Sequence, residues 1–133
     1  MKASELMIGD WVYNKNIAKP MQIYPTIFSQ MFRSNPNATT EDYNIFPIPL
    51  TPEILKKNGF LANRHIYPYP YYEYEVKEFR VGFAFPQGDK TSYKEPWVYI
   101  DSERVFAEHL PCVFVHQLQQ ILRICGISKE IEL

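Results

Sequence analysis

At 133 residues, with 46% hydrophobic and 22% charged side chains, the chain suits one globular domain rather than wholesale disorder. Fourteen basic against 15 acidic residues leave a formal net charge of −1, so no global field draws the protein to nucleic acid. Eleven prolines against five glycines, with 16% aromatics, favour short strands and irregular connections over a helical bundle.

The first residues, "MKASELMIGDWVY", lack the apolar core of a secretory signal. No stretch reaches the roughly 18 apolar residues of a membrane span. The reading is a cytoplasmic protein, away from membranes, with Cys112 and Cys125 reduced. Leu6 and Ile8 lead into a Gly9-Asp10 turn, and Trp11-Val12-Tyr13 read as a first strand, similar to the start of a small SH3-like barrel. "MQIYPTIF" (21–28) reads as a second strand placed at an edge by Pro25. The polar, turn-rich stretch that follows predicts an exposed loop over 29–45.

"LTPEILKKNGF" (50–60) carries a full set of helix signals. Thr51 is an N-cap, Pro52 sits at the first helical position, and Glu53 favours the positive end of the dipole. Lys56 and Lys57 suit the last turn and Gly59 the stop, so a helix is expected at 52–58. Next comes "IYPYPYYEYEV" (66–76), with Tyr67, Tyr69, Tyr71, Tyr72 and Tyr74 close together. Tyr72, Tyr74 and Val76 alternate with Tyr71, Glu73 and Glu75; then the parity flips, and Phe79, Val81 and Phe83 alternate with Arg80 and Gly82. One extra residue near Lys77-Glu78, a β-bulge, would produce the flip. A turn at 85–90 and a return strand at 96–100 follow. Val115, Leu118, Ile121, Leu122 and Cys125 form one helical stripe, with Gln117, Gln119, Gln120 and Arg123 mostly opposite, predicting a helix over 115–125. "EIEL" at the end alternates like a short strand. The sum is one α+β domain over 1–133, built on a small, strongly bent antiparallel sheet.

Three phrases, "LMIGDWV" (6–12), "IPLTPEILKKNGF" (48–60) and "VHQLQQILRICG" (115–126), resemble motifs of a family of small proteins of unknown function. Gut-type anaerobic bacteria, their phages and integrated elements encode that family. The resemblance implies an intracellular accessory protein of a phage or mobile element, and brings no catalytic residue or cofactor with it.

Several constellations carry chemistry in principle. Cys112 and His116 stand four apart, but Pro111 and the extended "CVFV" place Cys112 before the helix, and Cys125 lies on the apolar stripe. Glu108, His109, Cys112 and His116 could gather around zinc, yet no Cys-x2-Cys or HExxH accompanies them. His116 is expected to hydrogen-bond near the helix start. Glu73 and Glu75 share a strand face at a spacing open to paired carboxylates, and equally to a solvated face. No phosphate-cradling glycine motif is present, and no metal or other cofactor is expected. The tyrosine run reads as sheet packing, a protein interface, or a stacking platform; acidic Glu73, Glu75 and Glu78 argue against a nucleic-acid backbone there. The leading expectation is a non-catalytic interaction protein. Its contact surface is Tyr67, Tyr69, Tyr71, Tyr72 and Tyr74, and its partner another protein or a second copy. A nucleic-acid-binding accessory module is the alternative, and a small enzyme using His116 or Glu73/Glu75 comes third.

Overall fold

The structure is a computed structural model and describes residues 1–34, 37, 39–63, 71–76, 79–86, 91, 94–102 and 106–133. The fold is α+β. Where the sequence leads to one domain around one bent sheet, the strands form two antiparallel sheets and the chain divides into two compact units. The first comprises Met1–Pro49 and Phe114–Gln120; the second comprises Leu50–Val113 and Ile121–Leu133.

In the first unit, β1 (Trp11–Asn14) lies between β2 (Lys19–Gln22) and β3 (Ile45–Pro47). Strand alternation turns Val12 inward, where it is paired in register with Met21 and Pro47. Val12 and Ile45 are buried with Ala3, Leu6, Ile23 and Met31 in one core. The expected strand over 21–28 is cut short. Pro25 opens a helix, α1 (Pro25–Ser34), because its fixed φ and missing N–H cost nothing at a first helical position. Ile27, Phe28 and Met31 then fall on one helix face and pack on the core. The predicted loop over 29–45 is likewise more structured than its polar composition suggests. It holds the end of α1, a 3-10 helix at Thr40–Tyr43, and the buried Thr40 and Ile45.

In the second unit the order is β4 (Leu61–Asn63), β5 (Tyr71–Val76), β6 (Phe79–Ala84), β7 (Trp97–Ser102) and β8 (Phe106–Pro111), each antiparallel to the next. Val76 pairs with Phe79, so β5 and β6 are the two arms of a hairpin. Cross-strand partners in that register always differ in parity, which accounts for the flip without a bulge at 77–78. A register shift occurs instead between β7 and β8, at Val98/Ile100.

Helix α2 (Pro52–Lys57) forms as its caps predict. Thr51 Oγ1 accepts the Ile54 N–H at 3.3 Å, and Gly59 takes a φ of 85° just past the end. Helix α3 (Val115–Ile124) runs on the expected stripe, with Val115, Leu118 and Leu122 buried. "EIEL" is not a strand. The Asn58 carboxamide holds it instead, giving Nδ2–H to the Glu132 carbonyl and accepting the Glu132 N–H, both at 2.8 Å.

Candidate functional site

The first turn of α3 is set by hydrogen bonds within the first unit. The Val115 N–H reaches the Ile48 carbonyl at 2.9 Å, and Gln117 Oε1 accepts the Phe114 N–H at 3.0 Å. The side chains beyond then return to the chain's beginning. Gln119, expected on the solvent side, is buried: its Oε1 accepts the Trp11 N–H at 2.7 Å and its Nε2 donates to the Gly9 carbonyl at 3.1 Å. β3 ends opposite Val12, leaving the Trp11 N–H without a strand partner on that side, and the amide takes its place. Gln120 Nε2 donates to the Glu5 carbonyl at 2.8 Å and to buried Asp10 Oδ2 at 2.9 Å. Asp10 Oδ2 also accepts the Met7 N–H at 2.8 Å. The phrases "LMIGDWV", "IPL" and "VHQLQQ" are therefore bonded to one another and close this unit.

Beside that clasp is a half-open hollow of about 570 Å³, walled by Glu5, Met7, Glu41, Pro47, Phe114 and His116, with Met1, Ser4, Gln117 and Gln120. His116 is 3% exposed and stacks on Phe114 (centroids 5.7 Å, planes 11° apart). Its Nδ1 makes no hydrogen bond among the described residues, contrary to the expectation of a bond near the helix start. Burial pushes the imidazole's pKa below its usual value; Asp10 and Glu5 pull it up less strongly, and the Met1 amine lowers it slightly. The folded ring thus refuses a proton that the unfolded ring accepts. Stability present above pH ~6.5 should be lost as pH falls from there toward the folded pKa. His116→Gln should flatten that slope. Urea midpoints at several pH values for parent and variant would show it, with His65 and His109 cancelling in the difference.

The other face of the three-stranded sheet points outward. Tyr13 stands in register between Pro20 and Phe46, and is 37% exposed; Pro20 is exposed and Phe46 half-buried. Trp11, half-buried, lies on the same face, and Lys15 Nζ sits 5.9 Å over the Phe46 ring. In the sequence this face was hidden inside "WVY", whose strand character was legible but whose outward side was not.

Of the tyrosine run, Tyr67 and Tyr69 lie outside the described residues. Tyr71 and Tyr72 are 1% and 8% exposed, on opposite faces of β5, and Tyr74 is half-buried. Tyr72 pairs with Phe83 and Tyr74 with Val81. Phe60 fills in beside them, 5.1 Å from Tyr74 and 5.6 Å from Phe83 between centroids. Lys56 and Lys129 cover the Tyr72 and Tyr74 rings at 5.8 and 5.6 Å. These three tyrosines are used in packing the second unit. On the opposite face, Glu73, Gly82 and Tyr99 form one rung across three strands. The Tyr99 hydroxyl donates to Glu73 Oε2 at 2.5 Å, and burial followed by the Glu73 contact drives its pKa far up. Arg80 bridges the two glutamates, 3.3 Å from Glu73 and 2.9 Å from Glu75. The guanidinium thus occupies the place where a paired-carboxylate mechanism would need substrate.

Cys112 is buried before α3, its thiol pushed up to about 12 by burial, and it belongs to the other unit from His116. The side chains of Glu108 and His109 lie outside the described set. Among the described residues no three His, Cys, Asp or Glu side chains gather as metal ligands, and no helix is long and apolar enough to cross a membrane. No family model, curated protein or solved structure matches the chain.

Proposed function

We propose that the protein is a non-catalytic interaction protein that binds another protein through the outward face of β1–β3. The observation that carries this reading is the rung Pro20–Tyr13–Phe46, a row of large side chains on a sheet face whose reverse side is buried. Rings with polar tips supply contact area at little entropic cost, as protein interfaces use them. The resemblance of the three motif segments supports an accessory role in a phage or mobile element, inside the cell. The motif residues themselves act as a clasp rather than as reactive groups, which is why no catalytic role is assigned to them.

Tyr13→Ser tests the contact with little risk to the core, since Tyr13 is exposed. The tagged parent should retain a specific protein from host lysate through nuclease treatment, and the variant should lose it at an unchanged melting temperature. Equal capture by both would sink the sheet face as the contact. A second reading, single-stranded nucleic acid on the same face, is favoured by Lys15 over Phe46 and by exposed Lys19 at the neighbouring β2 position. Loss of every partner on nuclease treatment, with binding that weakens steeply as salt rises, would replace the first reading by the second.

A further inference from the structure

We propose that the hollow beside α3 in the first unit binds a cation carried on an apolar stem, an alkylguanidinium or alkylammonium group. Its volume, about 570 Å³, is in the range of small-ligand sites. Met7, Pro47 and Phe114 offer apolar wall to a stem, and no lysine or arginine lines it. Its side-chain charges are the carboxylates of Glu5 and Glu41. Glu41 accepts from the Met1 nitrogen at 2.9 and 3.1 Å, and Glu5 Oε2 accepts the Lys2 N–H at 3.0 Å, so no side-chain cation neutralises either. Carboxylates beside low-dielectric walls concentrate a field that attracts cations and repels phosphate or carboxylate ligands.

His116 is the second, independent observation. A polar ring 3% exposed normally has its nitrogens satisfied; this one forms part of the wall with Nδ1 unpartnered among the described residues. A neutral imidazole accepts from an N–H donor, which a guanidinium or ammonium supplies. The inference is independent of the sheet face, because the hollow is lined by other residues.

The test is a titration of the full chain with butylguanidinium, followed by amide and His116 ring resonances, with butanol and butyrate as controls. A Gly-Arg-Gly amide peptide runs in parallel. Expected are saturable shifts at Met7, Phe114, His116 and Gln120, absent with butyrate and with butanol. Glu5→Gln, which keeps an acceptor for Lys2, should weaken binding about fivefold, and Glu41→Gln should act in the same direction. Tighter binding of the peptide assigns the site to a basic side chain of a partner; tighter binding of free butylguanidinium assigns it to a small organic cation. No saturable shift, an equal response to butanol, or full affinity in both glutamine variants would overturn the proposal.

Discussion

A Gly82→Val protein is expected to be about 3 kcal/mol less stable than its parent. Gly82 is in the central strand of the five-stranded sheet, between Glu73 on β5 and Tyr99 on β7. The Tyr99 ring lies across it to reach Glu73, so a Cβ at position 82 would overlap the ring itself. The ring cannot simply slide along the sheet, because Tyr71 stands 6.0 Å away between centroids. Moving it breaks the hydroxyl–carboxylate bond and uncovers a buried aromatic cluster of Tyr71, Ala84, Trp97 and Tyr99. Urea unfolding gives the loss directly. In a Tyr99→Ala background the same valine should cost far less; an equal cost in both backgrounds would show that the ring is not the obstacle. Tyr99→Phe alone separates the hydroxyl's share from the ring's.

The second large effect is expected at Asp10. Asp10→Ala should lower stability by about 2–3 kcal/mol, since it leaves the Met7 N–H and one Gln120 amide hydrogen without their carboxylate. Asp10 is fully buried, so water cannot stand in for the lost oxygen without a rearrangement. Asp10→Asn, which keeps one acceptor, should lose less. A double-mutant cycle with Gln120→Ala measures the pair itself: if the two losses simply add, the bond across the clasp contributes nothing beyond each residue's own packing.

Local chemistry was legible in the sequence wherever a few neighbouring residues decide the outcome. Thr51, Pro52 and Gly59 bound α2 because caps act over one turn, and the stripe of Val115, Leu118 and Leu122 gave α3. The parity flip after Val76 was visible too, although a hairpin and a bulge both produce it and only the pairing of Val76 with Phe79 separates them. What stayed hidden depends on partners far along the chain. Nothing within "WVY" says that Tyr13 faces solvent while Tyr71 and Tyr72 are buried, because each exposure is set by what other segments cover. Pro25 fits an edge strand as well as a helix start, and the apolar positions of Ile27, Phe28 and Met31 were the signal that would have decided it. Gln119 and Gln120 looked like the wet side of a helix; their bonds to Gly9, Trp11 and Asp10 span about a hundred residues and leave no local trace. The hollow follows from that same closure, so Glu5 and Glu41 could not be singled out from composition.

The clasp also has a consequence for how the chain is made. β1, β2 and β3 leave the ribosome first, yet the side chain that completes β1 belongs to Gln119, 108 residues after Trp11. At ordinary elongation rates that is a delay of about 5–20 s. During it the Trp11 N–H and the Asp10 carboxylate wait without their α3 partners while most of the second unit is synthesised in between. A nascent chain stalled before Gln119 should therefore carry an unfinished N-terminal sheet, open to proteases and chaperones, that closes when the next few residues emerge.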